Sequence, residues 1–167
     1  DWETAARPYV IKQLEEQMYG AMPPRPASLE FELLESSDDA LGGLALRRQY
    51  AVKSADKGGK HSFGVLIYIP KGAKGPVPAI VCPNFCGNHT VTSEKEIIMP
   101  TCWMRNSNYP NLKITDHKAH ESQRGGASAR WPVGEILERG FAVACWYYCE
   151  VYPDREKEDG REGSIYE

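Results

Sequence analysis

Two short, continuously apolar runs constrain this chain most: Pro78-Ala-Ile-Val-Cys82 and Phe141-Ala-Val-Ala-Cys-Trp-Tyr-Tyr148. A strand with one wet face alternates polar and apolar positions, whereas runs like these are typical of strands buried on both faces. Between them the clear helical signal is Trp131 to Arg139, with Pro132 in its first turn and Gly140 just past its end. Strand, helix and strand in that order imply a right-handed crossover, which lays the two strands side by side and parallel.

What precedes them has a different texture. Leu44 to Ser54 alternates, with Leu44, Leu46, Tyr50 and Val52 apolar and Arg47, Arg48 and Lys53 polar, and predicts a strand. A hairpin loop, Ala55 to Lys60, leads to a second strand at Phe63 to Pro70, and the two are expected to pair antiparallel. Further upstream, Leu29 to Leu34 reads as extended and Asp38 to Gly43 as a turn. Pro8 to Tyr19 reads as a short amphipathic helix, closed by Gly20 and by Pro23-Pro24. The stretch from Pro83 to Arg130 has little periodicity, and a segment that long is expected to be functional or to hide short helices. The charged tail, Asp154 to Gly163, reads as a surface loop. Antiparallel strands feeding a parallel sheet make the opening half of an α/β-hydrolase, a three-layer αβα sandwich. On that topology Pro78–Cys82 is its third strand, Phe141–Tyr148 its fourth, and residues 1–167 are part of one catalytic domain.

The formal net charge of -3 argues against a nucleic-acid partner, which would want a basic face for the phosphates. No apolar run approaches the roughly 20 residues that span a bilayer. No leader is present, so a signal peptide is expected to be absent or removed. The five cysteines, Cys82, Cys86, Cys102, Cys145 and Cys149, contain no CxxC pair and do not have zinc-ribbon spacing. Reduced, buried thiols and a disulfide both fit them, with at least one thiol left over.

Several residues carry possible chemistry. In α/β-hydrolases one oxyanion-hole amide commonly comes from the loop after the third strand, here Asn84-Phe-Cys-Gly-Asn-His-Thr90. A small, Gly-containing turn lets backbone N–H groups face a developing alkoxide, which nominates Phe85, Cys86 and Gly87. Taken locally, the same residues are also an ordinary Gly-Asn turn. Arg124 and Arg130 flank a glycine-rich bend; each suits a carboxylate, but holding a long loop through its backbone carbonyls is the commoner role and the one favoured here. Asp116-His117-x-x-His120-Glu121 lacks further metal ligands at obvious spacing and reads as a solvated segment. His89 reads as a structural hydrogen-bonding residue. Among the tryptophans, Trp103 in the long loop is the one kept as a substrate-contact candidate.

Three segments together resemble the bacterial branch of the glucuronoyl esterases, carbohydrate esterase family 15. They are Asn84-Phe-Cys-Gly-Asn-His-Thr-Val-Thr92, Arg124-Gly-Gly-Ala-Ser-Ala-Arg-Trp-Pro-Val133, and Arg139-Gly-Phe-Ala-Val-Ala-Cys-Trp-Tyr-Tyr148 followed by Pro153-Asp154. Tyr19-Gly-Ala-Met-Pro-Pro24 and Ala40-Leu-Gly-Gly43 fit as well. The resemblance implies an α/β-hydrolase that cleaves esters of 4-O-methyl-glucuronic acid between xylan and lignin alcohols. It implies a Ser–His–acid triad, no metal and no cofactor, in a secreted or periplasmic protein. The family nucleophile lies in a Gly-x-Ser-Arg-x-Gly elbow, and this sequence has none. Ser128 follows a Gly-x-Ser start but lacks the neighbouring arginine and closing glycine, so no catalytic residue is assigned here. The elbow is expected after a fifth strand, in a C-terminal half of the same domain. Family members often have other residues where Cys86 and Cys149 stand, and the paired departure implies a Cys86–Cys149 bridge across adjacent strand ends, which would favour an oxidising compartment. Two rival readings are an acetyl-xylan-type esterase on the same fold and a non-catalytic carbohydrate-binding remnant.

Overall fold

The computed structural model describes residues 1–56 and 59–155, so part of the hairpin tip and most of the charged tail read above lie outside the described residues. Five strands form one sheet: β1 (Ser28–Ala40), β2 (Ala45–Asp56), β3 (Gly59–Pro70), β4 (Ala79–Asn84) and β5 (Ala142–Tyr147). Their spatial order is β1-β2-β3-β5-β4. The first pairs are antiparallel, and β4 lies parallel to β5 from Ala79↔Ala142 to Asn84↔Tyr147. The crossover therefore places the two apolar runs side by side, as their sequence implies. The mixed sheet is that of an α/β-hydrolase.

The register explains the core. Across β2, β3 and β5 the rows Arg47↔Tyr68↔Val143 and Gln49↔Leu66↔Cys145 point to one face. On it Leu66, Tyr68, Val143 and Cys145 pack with Val91, Ile97, Val133 and Leu137. The last two belong to α2 (Val133–Glu138), the crossover helix, which begins just after Pro132. β2 alternates as expected but with the opposite parity: its buried positions are Ala45, Arg47, Gln49 and Ala51. Leu46, Tyr50 and Val52 are half-buried on the opposite face.

A buried arginine needs compensation, and Arg47 has it. Its Nε and Nη2 donate to the two Glu35 oxygens at 3.0 and 2.8 Å, and Nη1 lies 2.8 Å from Glu94. Glu94 also accepts from the Tyr68 hydroxyl at 2.7 Å and the Leu41 amide at 2.8 Å. This network carries β1 on to Ala40, past the Leu34 at which the sequence reading stopped, with register shifts at Leu33/Glu35 and Ser37/Ala40.

Two expectations are corrected. β4 is not buried on both faces: Ile80 and Val81 are 42% and 61% exposed, because β4 is the edge strand of the described sheet. The N-terminal helix runs from Trp2 to Tyr19, its α-helical part α1 (Arg7–Leu14) being flanked by π-helical turns, and it ends at Gly20 as expected. None of its residues is buried. The long aperiodic stretch does hide short helices, 3-10 turns at Asn88–Thr90, Glu121–Gln123 and Ser128–Arg130.

Candidate functional site

The site is built at the carboxyl ends of β4 and β5, where open α/β sheets place their ligands. The chain leaves β4 through the buried Asn84, whose Oδ1 accepts from the Cys86 amide at 3.3 Å. Asn84 Nδ2 donates to Asn88 Oδ1 at 2.7 Å, and Asn88 Nδ2 donates to the Gly64 carbonyl at 3.0 Å, which pins the turn to β3. Gly87 sits at φ +89°, where an L side chain is strained. Its carbonyl accepts from both the Thr90 amide, at 3.0 Å, and the Thr90 hydroxyl, at 2.8 Å. Of the three nominated amides, that of Cys86 is thus engaged by Asn84. Among the described residues the Gly87 amide has no acceptor.

Phe85 and Cys86 open onto a cleft of about 720 Å³, whose far wall is formed by residues 105–109 with Leu112 and Ile114. The Phe85 ring is 71% exposed and lies 5.0 Å from that of Tyr148. Tyr148, at the start of α3 (Tyr148–Val151), donates to Asp154 at 3.1 Å, and Arg105 stands 3.6 Å from the same oxygen. Arg130 lines this cleft beside Cys86, and no ion pair holds it among the described residues. Burial pushes the Cys86 thiol up, against the opposing pull of Arg130, so Cys86 is not an activated nucleophile.

The other candidates are placed elsewhere. Arg124 Nη1 donates to the carbonyls of Glu94 and Ile97 at 3.1 and 2.8 Å, and Nε and Nη2 grip Glu121. It is a loop clamp, lining a second hollow near Leu41 and Trp131 that also holds the exposed Ser128. Trp103 stacks on His117 at 4.9 Å and packs on the cluster of Met104, Ile114, Tyr147 and Cys149. It does not line the cleft. His117 and His120 are engaged with Met104 and Ser122, and among the described residues no three His, Cys, Asp or Glu side chains gather as a metal site. All five thiols are free, and Cys86 and Cys149 are not bridged. Cys149 is turned instead into the apolar cluster, where Cys102 packs against it, while Cys86 faces the cleft.

Sequence reading missed Arg105, Tyr109 and Tyr148 as cleft residues. By sequence Tyr148 reads as buried strand, and the other two lie in a segment without periodicity. Glu150 and Asp154, which follow the fourth strand on the carboxyl edge where sequence alone suggests a pocket border, part ways: Asp154 lines the cleft, whereas the half-buried Glu150 carboxylate accepts from the Gly64 amide at 2.6 Å and is held above the usual carboxylate range by burial.

No family model matches the sequence. A curated carbohydrate esterase from an unknown prokaryotic organism is 35% identical over 153 residues, covering 92% of this chain and 35% of that protein. Among solved structures, a promiscuous CE15 esterase from a marine bacterial metagenome is 34% identical with a TM-score of 0.81, over 93% of this chain and 38% of its own. A glucuronoyl esterase from Solibacter usitatus is 30% identical with a TM-score of 0.80, over 98% of this chain and 40% of its own. A CE15 glucuronoyl esterase from Teredinibacter turnerae, 19% identical with a TM-score of 0.60, shares the fold. The chain thus spans well under half the length of the relatives it matches. With sequence and fold in agreement, the chain belongs to the family 15 carbohydrate esterases, the glucuronoyl-esterase family, and accounts for about a third to two-fifths of such a protein.

Proposed function

We propose that this chain supplies the oxyanion turn and one cleft wall of a serine esterase that hydrolyses esters of 4-O-methyl-glucuronic acid in xylan–lignin linkages. The observation that carries the reading is the Gly87 turn. It is fixed at the carboxyl end of β4, has an amide with no acceptor among the described residues, and adjoins a cleft edged by Arg130, which has no ion pair among those residues. In acyl transfer the carbonyl oxygen gains charge as the nucleophile adds, and a pre-placed N–H stabilises that charge more than it does the ground state. The nucleophile and its base belong to a further, C-terminal portion of the same domain. Arg130 then attracts the uronate carboxyl group, esterified before the reaction and anionic after it. The seat is a secreted or periplasmic enzyme; no described helix is long and apolar enough to cross a membrane.

A wider ester range is the second reading, favoured by the relative that is itself described as promiscuous. The complete enzyme, assayed on a benzyl glucuronate ester and on acetylated xylan, separates the two. Hydrolysis of the glucuronate ester with little acetyl release supports the first reading. Comparable rates on both support the second, and no hydrolysis of either rejects both.

A further inference from the structure

Gln123 is a buried amide that joins the oxyanion turn to the far wall of the cleft. Its nitrogen donates to the Lys113 carbonyl at 2.7 Å, and its oxygen accepts from the His120 amide at 3.0 Å. These two neighbours fix which way the amide points, so it is the oxygen that faces His89 Nε2 at 3.0 Å. A ring nitrogen facing an acceptor carries the proton, which leaves Nδ1 bare. That atom is fully buried and has no partner among the described residues.

His89 lies directly against Gly87. A Cβ on Gly87 would stand 2.9 Å from both Nδ1 and Cε1 of the ring, so the imidazole is the floor on which the turn rests. Packing alone is a poor account of this choice, since an apolar side chain would fill the space without burying an unpaired nitrogen. What an apolar side chain lacks is the link to Gln123. Lys113 adjoins the Ser107–Ile114 bridge, which belongs to the wall. A continuous path therefore runs from wall to Lys113 carbonyl, Gln123, His89 and the Gly87 turn.

We propose that Gln123 and His89 are positioning residues that hold the oxyanion turn in register with the cleft wall, so that an ester seated against the wall meets the Gly87 amide in place. The proposal rests on the oxyanion reading of that turn. It requires a neutral ring, because a proton on Nδ1 would face the Gly87 methylene with no acceptor. Burial favours the neutral form and Arg124 adds to this, while Gln123 and Glu121 oppose it.

The test uses the complete enzyme with Gln123→Met, which removes both links, and Gln123→Glu, which keeps an acceptor toward His89 but favours the imidazolium. For Gln123→Met we expect kcat on a glucuronate ester to fall about tenfold or more, with KM within about twofold, as small misplacement of reacting groups does. For Gln123→Glu we expect the acid limb of the kcat profile to move to higher pH, with activity recovering on the alkaline side. A packing role moves no such limb. Amide exchange gives a readout independent of catalysis: the amides of residues 87–90 should exchange faster in Gln123→Met, while those of β3 and β5 keep their protection. Unchanged kcat in both variants, or faster exchange spread equally over β3 and β5, overturns the proposal. If the unaltered enzyme hydrolyses no ester, the oxyanion reading fails, and the exchange pattern still decides whether Gln123 holds the turn.

Discussion

Replacing Arg47 by methionine keeps most of the side chain's length and removes its charge. The arginine is 3% exposed and is the shared cation of three carboxylates: Glu35 and Glu94, which are 22% and 19% exposed, and at 3.8 Å the exposed Glu96, which water already screens. Removing one partner from a buried ion pair costs about 3–5 kcal/mol, because the other charge is left uncompensated. Here the two less exposed carboxylates each keep a donor, Gln49 Nε2 at 2.7 Å for Glu35 and Tyr68 at 2.7 Å for Glu94, and each has some access to water. Those retained bonds place the expected loss at the low end, about 3 kcal/mol, or roughly a hundredfold in the folding equilibrium. The loss has a sign in pH. Both carboxyls are held below their ordinary range in the folded protein, Glu35 chiefly by its bond to Arg47. For Glu94, the bonds from Tyr68, Leu41 and Arg47 outweigh an opposing effect of burial. A lowered folded pKa contributes stability that is present above the unfolded value and is lost as pH falls through the folded one. The gap between wild type and variant should therefore be full at pH 7 and shrink below about pH 4. Urea unfolding of the complete protein at both pH values measures it. A loss under about 1 kcal/mol at pH 7, or a gap that widens on acidification, would refute the reasoning.

Glu150→Gln should act in the opposite sense. The folded carboxyl is held above its ordinary range by burial, so its ionised form weakens the fold as pH rises, while below the unfolded value it is neutral in both states. The amide oxygen of glutamine can still accept from Gly64. The variant should then melt higher than wild type at pH 7.5 and equal to it near pH 4, and a lower melting temperature at pH 7.5 would reject this account. Residues 1–167 expressed by themselves should associate through β4, whose edge is unpaired and whose Ile80 and Val81 are exposed. Light scattering should show the association falling in Val81→Lys, and a monodisperse sample of the unaltered piece that melts cooperatively would contradict it.

How far the fold was legible depended on whether the signal was local. The crossover could be read because each of its parts, two apolar runs and a helix closed by Gly140, is contiguous in sequence. The buried face of β2 could not. By composition Leu46, Tyr50 and Val52 are the inward set, but the register sets Arg47 beside Tyr68 and Gln49 beside Leu66 on the packed face. What makes that arrangement stable is a pair of acids at a distance in sequence, Glu35 and Glu94, one in a strand and the other in an aperiodic loop. β4 shows the converse: its composition is that of a buried strand, and within the sheet of the described residues it stands at the edge.

The same distinction separates Arg124 from Arg130. Both flank one glycine-rich bend, and their residue type gives no basis for choosing between them. Arg124 turns inward, where the carbonyls of Glu94 and Ile97, 30 and 27 positions away, take up its donors. Arg130 turns outward past Cys86 into the cleft. Of the turn after β4, the Gly87 position was legible because a left-handed φ calls for glycine locally. Its supports were not, since Asn88 reaches Gly64 across 24 positions and His89 reaches Gln123 across 34. A short turn cannot draw rigidity from its own few residues. It borrows rigidity from β3 on one side and the cleft wall on the other, and those loans are what a sequence read in order does not display.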